Sequence, residues 1–400
     1  MIRFSRMARG MRSSEIRRLM ALAADPNIIS LAGGSPGNEL FPIAELDAIY
    51  ASLSLSAKQT ACQYGPTSGF PPLIGSLKAY LATKGLPVES NKLLITTGAQ
   101  QAINIVSKIL LDPGDVVVTE QPSFIGALAA FLSYGARPAG VSMDSEGIVI
   151  DELRRVLDKH KGATLKLLYL NPNFQNPGGT MYSRARKQQV LEALKGRRLC
   201  LLEDDPYAEI YFDEADLPNL VPMKAMGPEP LPICYVGSFA KIFGPGMRLG
   251  WLLAPPDIYE KAELAKQSLD ACSATFTQVL AHEFLRQGKL PGYVARVRQA
   301  YSRKAGIMLD TLARHMPEGV TWTKPRGGFF VWVTMPKGMD ASEVFQKTIA
   351  QGAAFVIGSA FDPAGKRNNT MRLAFSFTPE EKVALGTRIV CEAVKGCMKR

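Results

Sequence analysis

The chain has 400 residues, which is more than one ordinary core of about 100–150 residues holds, so we expect two domains or one large α/β domain with a smaller companion. Its composition, 46% hydrophobic and 21% charged, is typical of a globular protein, and the lack of an uncharged apolar run of about 18 residues excludes a transmembrane helix. The formal net charge of +11 comes from basic residues spread along the chain, without zinc-finger spacing or an RNA-binding aromatic signature, so we expect neither a nucleic-acid partner nor a membrane partner.

Cysteine and histidine usage points to a reducing compartment and away from a metal site. The six cysteines form no CxxC pair, so we expect reduced thiols in a cytoplasmic protein. Only three scattered histidines are present, which disfavours a histidine metal site or a Ser-His-Asp triad. The first residues, MIRFSRMARGMR, are rich in arginine and lack acids, so they form either a targeting segment or a plain basic arm.

The first elements along the chain are a short helix and a turn-rich segment. Serine caps and an apolar face predict the helix over residues 13–24. Residues 27–42 read as extended, and glycines such as Gly34 would let this backbone pass close to a ligand. Tyr64 then lies in a loop that precedes a helix predicted over residues 71–84.

From about residue 92, short apolar strands alternate with helices, which is the pattern of a mainly parallel sheet wound by helices. In such a sheet, ligands bind at the carboxyl ends of the strands. Five predicted strands, at residues 92–96, 115–120, 165–170, 198–203 and 233–239, end in groups suited to one ligand. These groups are a helix start able to bind phosphate (Gly98, Ala99, Gln100), an aromatic ring (Phe124), an amide (Asn176), a carboxylate with a phenol (Asp204, Tyr207) and a lysine (Lys241).

The lysine lies in the stretch CYVGSFAKIFGPGMRLGW, residues 234–251. A buried strand ends here in Ser238 and Lys241, and after a Gly-Pro-Gly turn Arg248 opens a second apolar run over residues 249–254. A lysine beside a hydroxyl and a cation suits Schiff-base formation next to an anion cup, although a solvated loop lysine is the alternative. Together, the five strand ends match a phosphorylated, planar pyridinium aldehyde.

The alternation of short strands and helices ends at about residue 285. Residues 291–315 read as one long helix, and residues 319–400 form a smaller α/β piece with the strand-like segments FFVWVTM and MRLAFSF. We therefore predict three parts: residues 1–45 as an N-terminal arm with part of the small domain, residues 46–285 as the large cofactor-binding domain, and residues 286–400 as the interdomain helix and the C-terminal small domain.

Seven motifs in order, ISLAGG, YGPTSG, TTGAQQAI, NPNFQNPGG, LLEDDPYAE, SFAKIFGPGMRLGW and MRLAFS, resemble segments of the fold-type I pyridoxal-phosphate aminotransferases of class I/II, and within them the 2-aminoadipate and kynurenine aminotransferase branch. The resemblance runs from about residue 15 to the end of the chain. It implies an aspartate-aminotransferase-like α/β fold, pyridoxal 5′-phosphate as the cofactor, and a homodimer with shared active sites.

The resemblance also implies roles at the cofactor. Lys241 would form the internal aldimine and then move a proton between the substrate Cα and the cofactor C4′. Asp204 would pair with the pyridinium nitrogen; the alternative is a loop or capping carboxylate, a role open to Asp205 as well. Asn176 and Tyr207 would hold the ring oxygen, although both also suit a turn. Phe124 would stack on the ring, and the phosphate would meet Gly98, Ala99, Gln100, Ser238 and Arg248, with Tyr64 reaching it from the neighbouring subunit.

For the substrate, the resemblance implies that Arg372 in MRLAFS binds the α-carboxylate bidentately, with Gly34 and Asn176 beside it. Arg17 in SEIRR would meet the distal carboxylate of acidic substrates; a solvated face of a basic helix is the alternative. Three positions depart from the family pattern. Phe124 replaces a common tyrosine, Ala240 replaces a serine, and Gly178 replaces a threonine, and these changes would affect the fine tuning of the site but not the class of reaction.

The predicted activity is transfer of an amino group from an L-amino acid, such as 2-aminoadipate or an aromatic amino acid, to 2-oxoglutarate by a ping-pong mechanism. A pyridoxal-phosphate lyase or decarboxylase on the same fold is the alternative, because the choice of reaction depends on which Cα bond lies perpendicular to the ring. A transcription factor that uses this domain as a sensor is discounted, because too few residues precede Ser30 to form a DNA-binding domain.

Overall fold

The computed structural model describes residues 2–4, 25, 27–162, 164–227, 231–365 and 367–398. The helix predicted over residues 13–24, and Arg17 with it, lies outside the described residues. The strands are β1 (Ile29–Ser30), β2 (Lys92–Thr96), β3 (Val116–Gln121), β4 (Arg137–Asp144), β5 (Gly147–Ile148), β6 (Leu165–Leu170), β7 (Cys200–Asp204), β8 (Ile233–Ser238), β9 (Gly250–Ala254), β10 (Thr321–Trp322), β11 (Phe330–Thr334), β12 (Ala353–Ala354), β13 (Val356–Ile357) and β14 (Thr370–Ala374). The helices are α1 (Ile43–Ser52), α2 (Leu55–Cys62), α3 (Pro71–Ala82), α4 (Ala99–Leu110), α5 (Ile125–Ser133), α6 (Ile150–Lys159), α7 (Arg184–Leu194), α8 (Met223–Met226), α9 (Pro256–Asp270), α10 (Thr275–Arg286), α11 (Lys289–His315), α12 (Ala341–Ala350) and α13 (Glu380–Met398).

The larger sheet has eight strands in the order β2-β9-β8-β7-β6-β3-β4-β5. The pairings from β8 through β7, β6 and β3 to β4 are all parallel. Strand β9 runs antiparallel to both β8 and β2, and β5 runs antiparallel to β4. The prediction of a mainly parallel sheet wound by helices is confirmed. Because β9 is antiparallel to both neighbours, β2 runs in the direction of β8, and its carboxyl end lies at the same edge of the sheet.

The strands read as apolar runs because helices cover both faces of the sheet. On one face, Leu167 and Leu202 pack in a cluster with Ile103 of α4. On the other face, Leu168 and Leu201 pack in a cluster with residues of α6 and α7. Successive side chains of a strand point to opposite faces, so one continuous apolar run supplies both clusters.

A smaller antiparallel sheet has the order β10-β11-β14-β13. A separate two-stranded parallel sheet joins β1 to β12. The predicted long helix is confirmed as α11, which begins at Lys289 and buries Tyr301 and Met308. We keep the division after residues 45 and 285 as a proposal, and the pairing of β1 with β12 supports placing the N-terminal segment with the small domain.

The six cysteines are all unpaired. The sulfurs of Cys200 and Cys234, on neighbouring strands, lie 3.7 Å apart without a bond between them. Within the described ranges, no helix combines the length and the apolar character needed to cross a bilayer.

Candidate active site

A cavity of about 310 Å³ lies where β2, β6, β7 and β8 end. The carboxyl ends of these strands meet at one edge of the sheet, so loops that are distant in sequence share its wall. Of the predicted site residues in the described part of the chain, the cavity brings together all but Tyr64: it is lined by Gly34, Gly98, Ala99, Gln100, Phe124, Asn176, Asp204, Tyr207, Ser238, Lys241, Arg248 and Arg372.

Lys241 lies in a 3₁₀ turn, Phe239–Lys241, that directly follows β8. Its Nζ donates a hydrogen bond to the carbonyl oxygen of Gly34 at 2.8 Å and lies 5.6 Å from the ring centre of Tyr207 and 5.5 Å from that of Phe329. Burial, assisted by the positive charge of Arg372, lowers the pKa of Lys241 to about 8. Loss of a proton near neutral pH makes this amine available as a nucleophile and as a base.

Asp204 is the last residue of β7 and is 2% exposed. Its Oδ2 accepts a hydrogen bond from the hydroxyl of Tyr169 at 2.7 Å, while its Oδ1 is buried without a partner among the described residues. Burial raises the pKa of Asp204 to about 7; the Tyr169 hydrogen bond opposes this shift, and the charge of Asp205 adds to it. Asp205 accepts a hydrogen bond from Tyr235 at 3.0 Å. A buried carboxylate oxygen with no partner suits a cationic donor.

The loop after β6, residues 171–179, is tied to its neighbours by a series of hydrogen bonds. Asn171 Nδ2 donates to the carbonyl oxygen of Asp204 at 2.6 Å, and Asn171 Oδ1 accepts from the backbone N–H of Asn176 at 2.7 Å. The backbone N–H of Gly178 donates to Gln175 Oε1 at 2.6 Å. A Cβ at residue 178 would lie 2.8 Å from that oxygen, so a larger residue there would require the Gln175 side chain to shift.

Tyr207 is buried beside this loop and packs edge-on against the rings of Phe329 and Phe330. Burial raises the pKa of Tyr207, and the charge of Arg372 opposes the shift. The phenol is therefore protonated at neutral pH and can donate a hydrogen bond into the cavity.

The anion cup consists of Gly98, Ala99, Gln100, Ser238 and Arg248 around the start of α4. Gly98 is the residue before α4 and has φ +82°; a Cβ there would lie 3.0 Å from Arg248 NH2. The first N–H groups of a helix have no partner within it and carry the positive end of its dipole. Ser238 Oγ accepts from the N–H of Ala240 at 3.0 Å, which leaves its own hydrogen free to donate. The cup is therefore suited to a phosphate.

Gln100 and Phe124 were also predicted to contact the ligand. The side chain of Gln100 donates to the carbonyl oxygen of Gly126 at 2.8 Å, so the backbone N–H is the group that Gln100 offers to the cup. Phe124, the residue before α5, is half-buried and lines the cavity. Its ring forms part of the cavity wall, and its role in stacking on a planar ligand stays a prediction.

Arg372 is 5% exposed in the middle of β14. Its NH1 donates to Asn176 Oδ1 at 2.8 Å and its NH2 donates to the carbonyl oxygen of Ala32 at 2.6 Å. The guanidinium carbon lies 4.4 Å from the ring centre of Phe330 and 4.8 Å from that of Phe361. Burial lowers the pKa of Arg372 to about 10, so it stays charged at neutral pH. Its hydrogen-bond partners are neutral, which leaves its charge available to an anionic ligand.

Tyr64 does not reach this cavity. It follows the end of α2 and is 86% exposed. Leu55, on the same helix, is 74% exposed, and Ile43 at the start of α1 is 57% exposed. All three are large apolar or aromatic side chains that are more than half exposed.

The sequence reasoning missed several residues that shape the site. Tyr169 and Asn171 belong to the strand and loop already singled out, and the period of two along β6 places residues 167, 169 and 171 on the same side. Phe330 and Phe361, which flank Arg372, carried no local signal, because they approach it only through the packing of the smaller sheet.

A lysine, a buried carboxylate and an anion cup at the carboxyl edge of a wound sheet define a pyridoxal-phosphate site of fold type I. The family profile for aminotransferase class I and II matches residues 27–388. The chain is 37% identical over 400 residues to aromatic-amino-acid aminotransferase 1 of Thermococcus litoralis, which covers 99% of this chain and 95% of that protein. The chain belongs to the class I and II aminotransferase family.

Solved structures of aminotransferases are also similar to this chain over nearly its whole length. The kynurenine aminotransferase of Pyrococcus horikoshii, in complex with PMP, KYN as substrates and KYA as products, matches with a TM-score of 0.94 and 37% identity over 98% of this chain and 97% of that chain. The α-aminoadipate aminotransferase of Thermus thermophilus, complexed with N-(5′-phosphopyridoxyl)-L-leucine, matches with a TM-score of 0.89 and 36% identity over 99% of this chain and 98% of that chain. The protein is a pyridoxal-phosphate-dependent transaminase, and the alternative of a lyase or decarboxylase is not favoured.

The residues present fit this cofactor. The unpartnered Oδ1 of Asp204 suits the protonated ring nitrogen, and the anion cup suits the phosphate. Lys241 is the amine that suits the aldehyde. Among the described residues, no cluster of three or more histidine, cysteine, aspartate or glutamate side chains is arranged to hold a metal ion.

Proposed function

We propose that the enzyme transfers the amino group of an L-amino acid, 2-aminoadipate or an aromatic amino acid, to 2-oxoglutarate in a ping-pong reaction. The observation that carries this proposal is the cavity's one buried guanidinium: in the described part of the chain, Arg372 is the only buried arginine. One carboxylate anchor in a cavity of about 310 Å³ serves the amino donor and the oxo acceptor in turn, not together. The substrate classes named for the relatives support the choice of donor.

The geometry of the cavity supports the following proposed contacts with the cofactor. Asp204 would face the ring nitrogen, Asn176 and Tyr207 the ring oxygen, and Phe124 the face of the ring. The anion cup would hold the phosphate, with Ser238 donating its hydroxyl hydrogen. When bound, pyridoxal phosphate supplies an aldehyde that condenses with amines and a ring that withdraws electrons from the substrate Cα.

Lys241 acts as the base. As a free amine, its Nζ takes a proton from the substrate Cα and holds it for return, and a pKa of about 8 keeps both protonation states accessible at neutral pH. Arg372 fixes the α-carboxylate through two parallel N–H groups, which sets the orientation of the Cα–H bond. The rings of Tyr207 and Phe329 next to Nζ give the amine an apolar surrounding on that side.

Two further assignments belong to this proposal. Arg17 would meet the distal carboxylate of an acidic substrate. Tyr64 would complete the anion cup of a second copy in a homodimer, and its 86% exposure, together with the exposed Leu55 and Ile43, supports an interface there. The unpaired cysteines support a cytoplasmic location.

The test uses the purified holoenzyme and a panel of L-amino acids. A productive donor converts the cofactor to its pyridoxamine form, which absorbance follows directly. Addition of 2-oxoglutarate should then restore the original spectrum and yield glutamate. Failure of every 2-oxo acid to reverse the change, or release of ammonia or pyruvate without an acceptor, would contradict ping-pong transamination.

A further inference from the structure

Glu120 is a fully buried carboxylate next to the active site that has no role in the chemistry described above. It is the fifth residue of β3 and is 0% exposed. Its Oε1 accepts hydrogen bonds from the backbone N–H of Asn171 at 3.1 Å and from the hydroxyl of Tyr182 at 2.9 Å. Its Oε2 accepts from Gln175 Nε2 at 3.0 Å. Two of these three donors belong to the loop of residues 171–179.

These bonds lead to the substrate arginine in three steps. Glu120 fixes the backbone of Asn171, whose side-chain oxygen accepts from the N–H of Asn176 at 2.7 Å. The side-chain oxygen of Asn176 in turn accepts from Arg372 NH1 at 2.8 Å. A shift of the loop therefore moves the group that orients the guanidinium.

The same carboxylate also joins this loop to the turn that carries Phe124. Gln175 Nε2 donates both to Glu120 and to the carbonyl oxygen of Pro122 at 2.8 Å. Glu120 lies two residues before Pro122 in the chain. Gln175 thus holds the loops after β3 and β6 together through Glu120 and Pro122.

We propose that Glu120 is a positioning residue for transamination: its carboxylate holds the 171–179 loop against the turn of Phe124 and so sets the position of Asn176 relative to Arg372. The inference rests on the proposed function, because it takes Arg372 as the carboxylate anchor and Asn176 as a cofactor contact. Burial raises the pKa of Glu120 to about 8, and the hydrogen bonds from Gln175 and Tyr182 oppose the shift. Burying a carboxyl group costs free energy, so stability alone does not explain this residue here. The three donors bind the two oxygens of one carboxyl group and so fix the positions of Asn171 and Gln175 relative to β3. An apolar side chain offers no such hydrogen bonds.

Glu120→Gln tests the proposal with little change of volume, and Gln175→Ala provides a second variant that leaves Glu120 in place. In both variants we expect kcat/KM for the amino acid to fall, by about tenfold or more for Glu120→Gln, because misplacement of a positioning group by about 1 Å costs up to a hundredfold. The loss should lie mainly in KM, since Arg372 binds the carboxylate. The absorbance maximum of the Lys241-bound cofactor should also shift, because Asn176 moves with the loop.

Glu203→Gln is the matched control. Glu203 is also 0% exposed, on the strand next to β6, and it accepts from the backbone N–H groups of Met223 at 2.7 Å and Lys224 at 2.9 Å. Its loss removes a buried carboxylate without touching the 171–179 loop. We expect a lower melting temperature with KM and the absorbance maximum unchanged within about twofold and a few nanometres.

Failure of the positioning role and failure of the proposed function give different results. If Glu120→Gln and Gln175→Ala lower only the melting temperature, as the control does, the positioning role is overturned; if Glu120→Gln does not fold, Gln175→Ala decides alone. Two independent measurements test the proposed function: the amino-acid panel with 2-oxoglutarate described above, and Lys241→Ala, which should abolish the absorbance of the lysine-bound cofactor. Retention of that absorbance would contradict the proposed site whatever the Glu120 variants show.

Discussion

Substitution of Arg372 by lysine separates the charge of the substrate anchor from its geometry. The guanidinium uses NH1 and NH2 toward Asn176 and Ala32 and is stacked between Phe330 and Phe361. A lysine keeps the positive charge but cannot present two parallel N–H groups to a carboxylate. Loss of one charge-assisted hydrogen bond costs about 1.5–3 kcal/mol, which corresponds to a decrease of about ten- to a hundredfold in kcat/KM.

The assay compares an amino acid donor with the amine that lacks its α-carboxylate, measured in the same half-reaction by the change in cofactor absorbance. The variant should lose activity with the amino acid and keep the slow rate of the parent enzyme with the amine. Arg298→Lys is the control, because Arg298 also stacks on a ring, 3.6 Å from the centre of Tyr211, and donates to the carbonyl oxygen of Glu209 at 2.6 Å, away from the cavity. Equal losses with both donors, or a loss below about threefold with the amino acid, would refute a bidentate role.

Three further predictions concern the base, the anion cup and the distal site. In the cofactor-free protein, the pKa of Lys241 is lowered from 10.5 to about 8, so the buried charge destabilises the fold below pH 8 and this penalty disappears as the pH rises toward 10.5. Urea unfolding should therefore show Lys241→Met more stable than the parent by up to about 3 kcal/mol at pH 7, and a difference that does not shrink toward pH 10 would contradict the shift. Ala240→Ser adds a hydroxyl beside Ser238 and should tighten cofactor binding by about three- to tenfold in equilibrium dialysis; unchanged or weaker binding would exclude Ala240 as a missing phosphate contact. Arg17→Ala should raise KM for 2-aminoadipate or glutamate more than for aromatic donors, and equal increases would remove Arg17 from the distal site.

The sequence predicted the strands best where both of their faces are buried. The bounds of β2 and β6 match the prediction residue for residue, because a continuous apolar run has few competing structures at its ends. The predicted end of β8 at Phe239 was wrong by one residue, since the side chain of Ser238 accepts from the N–H of Ala240 and starts a 3₁₀ turn. A local hydrogen bond of this kind competes with the sheet ladder and is not visible in hydrophobic patterning.

The residues that meet in the site were more predictable the closer they lie to a loop or turn that directly follows a strand. Lys241 and Asp204 lie directly at strand ends, so topology alone brings them together. Glu120 was counted only as the end of a predicted strand, because its partners lie about fifty residues further along the chain, in a loop whose path no local signal gives. The stacking of Arg372 between Phe330 and Phe361 depends on how the smaller sheet packs, and the sequence contains no pattern for that.

The order of the site's parts along the chain has a consequence for protein synthesis. All eight strands of the larger sheet lie between residues 92 and 254, and Arg372 lies more than one hundred residues later. A ribosome has thus released every proposed cofactor contact of this subunit while α11 and the strand that carries Arg372 are still being made. The nascent chain therefore completes the proposed cofactor contacts of this subunit well before it completes the substrate anchor, Arg372.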